Sequence, residues 1–289
     1  MKKFVIILLV MILVVMAALT AVSCNGNTNV PGAVWANGET VKYDIMRGTE
    51  NLGTLTVTLE KLSPNSEATL NATGETYKIN SSAHGTRITV TAQANDGTEW
   101  LKSESIMDMF TSIASYRKVN YNGSNYELKS RYEDKYYYFS INGGAEERLR
   151  VGESGFVDRE QLYTVVRAYD LDAGYSGQYK IADPLSDEVV TIGVSSGGET
   201  IYNYEYKVTN FEGTVTTMNT TDAIVMNFAR TSTPQGMAIT VVYSATDALE
   251  VLGNPAGGGF AAGGNSSVRI PLRIVENDIT YNIREITCR

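Results

Sequence analysis

Few side chains in this 289-residue chain have the types and spacing that catalysis requires. His84 is the only histidine, and its surroundings, "SSAHGTR", are typical of a turn between two strands. A serine or cysteine triad would need this imidazole as its base. The strings "GESGF" (152–156) and "GYSGQ" (174–178) lack the glycine spacing of a G-x-S-x-G nucleophile elbow, so we interpret them as turns. The sequence therefore predicts no catalytic residues and a protein that is not an enzyme.

Metal and cofactor sites are not predicted either. Asp170 and Asp172 in "YDLDAG" supply only the start of a calcium loop, without the later ligands or the closing glutamate. Two cysteines and one histidine cannot complete a four-ligand zinc site without carboxylates. The glycine-rich stretch 253–267, "GNPAGGGFAAGGNSS", lacks the Lys-Ser/Thr pair of a P-loop. We expect this stretch to be a loop that joins two strands.

Cys24 has the clearest predicted chemistry, which is covalent attachment of a lipid. It follows a basic start, an almost continuously apolar run from Phe4 to Leu19 and small residues up to Ser23, the layout of an export signal. This junction resembles the bacterial lipobox, in which the cysteine receives a diacylglyceryl thioether and becomes the new N-terminus. Ala21 stands where leucine is more usual in that motif. The alternatives are an uncleaved membrane anchor, since about 20 apolar residues can span a bilayer, or an ordinary secreted protein.

Lipidation of Cys24 would define the organisation of the whole chain. Residues 1–23 are predicted to be a lipoprotein signal peptide, 24–37 a flexible tether rich in Gly, Asn and Thr, and 38–289 a single domain. The protein would then lie in the cell envelope, anchored to the extracytoplasmic side of a bacterial membrane by the palmitate-type lipid on Cys24. Cys288 would be left as a free thiol, whereas an unmodified Cys24 would allow a disulfide between the two.

The charge of the chain excludes some partners. The net charge is −8, and removal of the signal peptide with its two lysines brings it to −8 − 2 = −10. An acidic surface repels phosphate backbones, so we expect no nucleic-acid partner. Attraction to anionic membranes by charge is excluded for the same reason, which leaves the lipid as the means of attachment.

Alternation of apolar and polar residues with a period of two dominates the chain and predicts β-strands. In "VKYDIMRGTENLGTLTVTLEKL" two alternating runs flank a turn at Gly48–Asn51, which predicts a β-hairpin with one buried face. The apolar positions are Val41, Tyr43 and Ile45 in the first run and Leu55, Val57 and Leu59 in the second. Similar runs recur, among them "GTVTTM", "AIVMNFA", "MAITVVYS" and "RIPLRIVE". The predicted fold class is therefore mainly β.

Two segments have helical spacing instead. In 103–116, "SESIMDMFTSIASY", apolar residues recur at i, i+3, i+4 and i+7, and Ser103 is a candidate N-cap. In 157–171, "VDREQLYTVVRAYDL", Asp158 and Gln161 have the spacing of a capping box. Both helices would be amphipathic. We therefore expect a curved, largely antiparallel sheet or half-open β-barrel with two amphipathic helices packed on it.

A helix across the mouth of a half-open barrel would either enclose an apolar cavity or fill it. The predicted lining of such a pocket is Ile106, Met107, Met109, Phe110 and Ile113. Methionine suits an adaptable lining because its side chain packs against irregular partners. The alternative is that these residues form an ordinary core. Exposed aromatic residues such as Trp35, Trp100 or Tyr136–Tyr138 would suit carbohydrate, although packing across strands explains the same residues.

Several segments together resemble a known family. They are the hairpin "YDIMRGTENLGTLTVTLEK" with its Gly53, the helical segment "REQLYTVVRAYDL" followed by "GQYKIADP", and "MAITVVYSATD" with Tyr243, leading to "RIPLRI". Over most of residues 38–286 they resemble the exported bacterial family called domain of unknown function 3108. The glycine-rich stretch 253–267 has no counterpart in that pattern. The resemblance implies an exported β-rich fold similar to lipoprotein carriers, whose unclosed barrel and helical lid hold acyl chains, and it supplies no catalytic residues.

Two functions are consistent with these patterns. The first is a non-enzymatic envelope lipoprotein that binds a lipid or another apolar ligand. The second is a structural or interaction protein of the cell envelope that has a filled core and contacts proteins or polysaccharides. The arrangement of 103–116 distinguishes them, because only a lid over a cavity serves a carrier.

Overall fold

A computed structural model describes residues 38–80, 85–152, 156–167, 169, 171, 174–231, 238–247, 252 and 269–288. Residues 1–37, which are predicted to be a signal peptide and a tether, and the glycine-rich stretch 253–267 lie outside the described residues. Most of the described chain is β-strand, as the alternation predicts. The first strands are β1 (Glu39–Arg47), β2 (Glu50–Leu62), β3 (Ser66–Leu70), β4 (Glu75–Ile79), β5 (Gly85–Ala94), β6 (Glu99–Asp108), β7 (Thr111–Tyr121), β8 (Ser124–Glu133), β9 (Tyr136–Ile141) and β10 (Glu147–Arg150).

One helix, α1 (Arg159–Val166), separates these strands from a second set. The second set is β11 (Ser176–Asp183), β12 (Glu188–Tyr202), β13 (Tyr206–Thr209), β14 (Val215–Met218), β15 (Thr221–Arg230), β16 (Ile239–Asp247), β17 (Arg269–Glu276) and β18 (Ile279–Thr287). The described part of the chain contains no helix that is long and apolar enough to cross a membrane.

The strands form one large sheet in the order β10-β9-β8-β7-β6-β5-β2-β1-β18-β17-β16-β15-β12-β11. The first and last strands meet at its centre, where β1 pairs antiparallel with β18 from Thr40↔Thr287 to Arg47↔Ile279. Neighbours along the path are antiparallel, whereas β13 pairs parallel with the end of β18. The hairpin β3–β4 forms a separate small sheet. The prediction of a mainly β, largely antiparallel fold is confirmed.

The two outer edges of the sheet approach one another, so the fold is barrel-like and nearly closed. The connection after β10 bridges the gap, because the Val151 N–H donates to Lys135 O at 2.9 Å and the Val157 N–H donates to Lys180 O at 3.2 Å. One buried apolar cluster joins the two edges beneath this connection. Its members are Leu128, Tyr137, Phe139, Val151, Phe156 and Ala182.

The predicted first hairpin is present. Val41, Tyr43 and Ile45 are buried along β1, and the turn lies between Arg47 and Glu50. Gly53, one feature of the resemblance described above, lies where β2 packs closely against β5. A Cβ atom at this position would lie 2.0 Å from the Gln93 carbonyl oxygen of β5, so only glycine allows the two strands to approach this closely.

The predicted helix at 103–116 is wrong, because this segment forms the end of β6, a turn at Met109 and Phe110, and the start of β7. Both faces of these strands are covered. Met107 lies in the main core on the inner face, while Ile106 packs in a second cluster beneath the β3–β4 hairpin on the outer face. Burial on both faces removes the period-two alternation, and the resulting apolar run imitates a helical pattern.

The predicted helix at 157–171 exists but is shorter. Asp158 is the N-cap of α1, and the capping box with Gln161 is present as predicted. The helix ends at Val166, and the following Arg167 forms its C-cap. Among the described residues there is therefore one helix where two were predicted.

The main core lies on the concave side of the sheet and includes the buried face of α1. Leu162, Val165 and Val166 pack among buried side chains from strands on both halves of the sheet. The Tyr243 hydroxyl of β16 donates to the Tyr163 carbonyl oxygen of α1 at 2.8 Å. The helix thus occupies the space that the curved sheet encloses.

Candidate functional site

The structure does not bring the five predicted pocket residues onto one face. Ile106 and Ile113 belong to the outer cluster beneath the β3–β4 hairpin, whereas Met107 and Phe110 pack with the main core. Met109 lies in the turn between β6 and β7 and is 43% exposed. The Phe110 ring contacts the Tyr169 ring, with centroids 5.9 Å apart. Four of the five residues therefore pack in two separate cores, Met109 lies outside both, and the segment does not form a helical lid.

The most completely buried charges in the described interior are those of Glu39 and Arg167, which are 0% and 1% exposed. Arg167 binds Glu39 through both terminal nitrogens, with Nη1–Oε1 at 2.6 Å and Nη2–Oε2 at 3.2 Å. Its Nε donates to the Arg269 carbonyl oxygen at 2.5 Å. This ion pair links the start of β1, the end of α1 and the start of β17.

Cys288 and Tyr43 lie close to this ion pair. Burial raises the pKa of the Cys288 thiol to about 12, with a further contribution from Glu39 that Arg167 opposes. Burial also raises the pKa of Tyr43 far above its ordinary value. The Tyr43 hydroxyl donates to the Pro271 carbonyl oxygen at 2.8 Å. Both groups are therefore neutral at physiological pH, and burial disfavours the thiolate form of Cys288 that a nucleophile would need.

A row of buried polar side chains crosses the inner face near the N-terminus of α1. Ser105 of β6 stands opposite Ser115 of β7, which stands opposite Ser130 of β8. The Ser115 and Ser130 hydroxyl oxygens are 2.7 Å apart. Ser115 also donates to Asp158, the N-cap of α1. We call the side chains of Ser105, Ser115, Ser130, Arg117, Asp158 and Gln161 the polar belt.

Charge in the polar belt is concentrated on Asp158 and Arg117. Arg117 contacts Asp158 at 3.4 Å and also pairs with Glu160 in the first turn of α1. Burial raises the pKa of Asp158, Arg117 opposes this effect, and Glu160 adds to it. Burial by itself would lower the pKa of Arg117, but the attraction of Glu160 and Asp158 outweighs burial and raises it, so Arg117 stays protonated. The belt therefore offsets only part of the desolvation cost of the Asp158 carboxyl group.

The Ser115–Asp158 contact does not make a catalytic site. Ser115 is 3% exposed and Asp158 is 2% exposed, so substrate cannot reach either group. The serine also contacts a carboxylate directly, where an activated serine hydroxyl needs an adjacent base such as histidine. Ser105 Oγ and Gln161 Nε2 have no protein hydrogen-bond partner within the described structure, a pattern typical of buried polar groups that bind ordered water.

Of the polar belt, the sequence pattern predicts only the capping box of Asp158 and Gln161. Ser103 and Ser105 alternate in β6, which is a strand signal, but the assignment of 103–116 to a helix concealed it. The pairing of Ser115 with Ser130 also depends on strand register, which alternation does not determine.

Aromatic and arginine side chains alternate on the outer face near the edge strand β10. The Arg131 guanidinium lies 4.1 Å from the Tyr138 ring centroid, and that of Arg148 lies 4.8 Å from the ring centroid of Tyr136. Arg131 also pairs with Glu133 and with Glu146, the latter at 3.0 Å. Because the arginines contact these rings, the cross-strand explanation accounts for both tyrosines.

Several sequence-based candidates lie outside the described residues. They are Cys24, His84, Asp170 and Asp172. Among the residues that the structure describes, no group of three His, Cys, Asp or Glu side chains is arranged to hold a metal ion.

Comparison with known proteins gives little further information. No family model matches the chain, and no curated protein is significantly similar. One solved structure, described as a β-barrel-like protein of domain of unknown function DUF1849 from Brucella abortus, aligns with a TM-score of 0.46 and 10% identity. The alignment covers 88% of this chain and 98% of that chain. The resemblance to domain of unknown function 3108 stays a prediction.

Proposed function

We propose that this protein is a lipid-anchored lipoprotein on the extracytoplasmic side of a bacterial membrane. In this proposal it acts without catalysis, by contacting other components of the cell envelope through its outer surface. The observation that supports action through the outer surface is the packing of α1 into the space that the curved sheet encloses. Because the protein's own side chains occupy this interior, a partner would bind to the outer surface.

The side chains of the interior support this choice over a lipid carrier. Leu162, Val165 and Val166 of α1 are buried among strands from both halves of the sheet. Met107 and Phe110, which a carrier would use to line its pocket, contribute to the same core. The Glu39–Arg167 ion pair fixes the end of α1 by hydrogen bonds, so the helix is held as part of the core and not as a movable lid.

Binding of a lipid or another apolar ligand is the alternative, and native mass spectrometry of the protein from Asn25 onward tests it. After incubation with envelope lipids, we expect the mass of the polypeptide alone. A stoichiometric lipid that is retained by Met109→Asp but lost in Phe110→Asp would contradict the filled-core proposal. The two variants are matched because Met109 is 43% exposed whereas Phe110 packs against the core.

The membrane anchor is supported by the apolar run, the small residues and Cys24, and it has its own test. We expect the full chain, expressed in a bacterium, to incorporate labelled palmitate and to fractionate with membranes. Cys24→Ala should abolish the label, while Cys288→Ala should leave it unchanged. Labelling that survives Cys24→Ala would overturn the lipoprotein assignment.

A further inference from the structure

The hairpin β13–β14 ends in an exposed strand. β14 pairs with β13 from Thr209↔Val215 to Tyr206↔Met218, and within the described structure its other edge is not paired. Val215, Thr216 and Thr217 are exposed. Val215 is 59% exposed, the largest value among the exposed large hydrophobic side chains. The outer edge of β14 therefore presents backbone N–H and C=O groups beside an apolar side chain.

The composition of this strand differs from that of the other edge strands. Residues 213–221, "GTVTTMNTT", contain no charged side chain. By contrast, β10 carries Glu147, Arg148 and Arg150, and the β3–β4 hairpin carries Glu67, Glu75 and Lys78. Proteins use charged residues, especially lysine, to prevent exposed strand edges from pairing with other chains. This protection is present on β10 and on the hairpin but absent from β14.

We propose that β14 is a self-association strand, which pairs antiparallel with the β14 strand of a second copy. Antiparallel pairing of identical strands obeys two-fold symmetry, so the outward-facing backbone donors of one copy can meet outward-facing acceptors of the other. The two copies would form a continuous four-stranded ribbon from two β13–β14 hairpins.

The charge distribution allows a second copy to meet this edge. The chain carries a net charge of −8, so two copies repel one another over most of their surface. At 213–221 they can approach without opposing like charges. Threonine–threonine and threonine–valine contacts across the new strand pair are favourable in β-sheets.

The expected dimer is weak because its interface is small. A stable protein interface buries about 1,600 Å² in total, which a ladder between two short strands does not reach. Association should therefore depend on protein concentration. The test reads the oligomeric state directly, so it does not depend on whether Cys24 carries a lipid.

Sedimentation velocity of the full chain in detergent tests the proposal through opposite charges at one position. We expect the wild-type chain to dimerise, and Thr216→Lys and Thr216→Glu each to raise the dissociation constant about tenfold, since like charges then face each other. An equimolar mixture of the two variants should recover the dimer as a heterodimer. Recovery excludes misfolding as the cause of the loss.

Leu185→Lys is the matched control, because Leu185 is an exposed apolar residue in a turn far from β14 in the chain, and it should leave dimerisation unchanged. A wild-type chain that stays monomeric at concentrations up to about 1 mM would overturn the proposal. Dimerisation of Thr216→Lys and Thr216→Glu at wild-type strength would overturn it as well.

Discussion

At the residue scale, the Glu39–Arg167 ion pair connects β1, α1 and β17. A buried ion pair contributes little net stability relative to apolar residues of the same volume, because desolvation offsets the attraction between the charges. Its importance lies in position. Arg167 is the C-cap residue of α1, and its guanidinium binds a carboxylate of β1 and a carbonyl of β17. Removing one partner leaves the other charge buried without this ion pair.

We predict that Glu39→Ala lowers the free energy of unfolding by about 3–5 kcal/mol, because the buried Arg167 guanidinium loses the carboxylate that pairs with it. Urea denaturation followed by tyrosine fluorescence measures this change. The double variant Glu39→Met/Arg167→Met should recover most of the loss.

Lys42→Ala provides the surface comparison. Lys42 forms an ion pair with Glu285 in which the side chains are 38% and 29% exposed. Its removal should cost about 0–1 kcal/mol. Equal losses for Lys42→Ala and Glu39→Ala would contradict the role of burial.

Asp158 gives a prediction about pH. Its pKa is raised in the folded state, mainly by burial, so the folded protein binds the proton more tightly than the unfolded chain. The contribution of Asp158 to stability is therefore largest at low pH and is lost as the pH rises through the folded-state pKa. The Asp158→Asn variant is the matched reference, because its amide keeps a capping oxygen but does not titrate.

We therefore expect the unfolding free energy of the wild type, minus that of Asp158→Asn, to increase as the pH falls from about 7 toward about 4. Urea denaturation of both proteins at several pH values measures this difference, and residues that titrate in both largely cancel. A difference that decreases on acidification would mean that Arg117 outweighs burial and that the pKa of Asp158 is lowered.

At the element scale, the β6–β7 hairpin takes the place of the helix that the spacing of apolar residues predicts. Its tight turn places Met109 at a φ of 53°, in the left-handed region. A non-glycine residue pays roughly 1–2 kcal/mol for this conformation. The position is also exposed, so the methionine side chain contributes little packing there.

We predict that Met109→Gly raises the free energy of unfolding by about 1 kcal/mol, because glycine adopts a positive φ without strain. In a helix the same substitution would lower stability by about 1 kcal/mol, so the sign of the change distinguishes the two structures. Thermal and urea denaturation both measure it. Met109→Val is the opposite control and should destabilise the protein, since β-branched residues fit poorly at positive φ.

At the scale of the whole molecule, closure of the sheet depends on the connection between β10 and α1. Phe156 in this connection is 2% exposed, and its ring lies 5.0 Å from the ring of Tyr137 on β9. The Phe156 carbonyl oxygen accepts a hydrogen bond from Ser112 N at 2.9 Å. Side chains from β8, β9 and β11 pack in the same cluster, so Phe156 joins the two edges of the sheet.

We predict that Phe156→Ala lowers the free energy of unfolding by about 3–5 kcal/mol and opens the sheet at its edges. In hydrogen exchange resolved by peptide, the increase in exchange rate over the wild type should be larger in β10 and β11 than in β1 and β2. Leu55→Ala in the main core is the control, because it destabilises the protein without weakening the junction. Uniformly faster exchange in Phe156→Ala would contradict a local role in closure.

The sequence alone determined the elements whose signals are local. The β1–β2 hairpin was predictable because one face is buried and the other is polar, and the α1 capping box because Asp158 and Gln161 have a fixed spacing. Tertiary structure decided what depends on distant neighbours. The β3–β4 hairpin covers the outer face of β6, so Ile106 and Met107 are both buried and the strand loses its alternation. Likewise, the contacts of Arg167 with Glu39 and of Ser115 with Asp158 join residues far apart in the chain, and only folding determines which side chains share the low-dielectric interior.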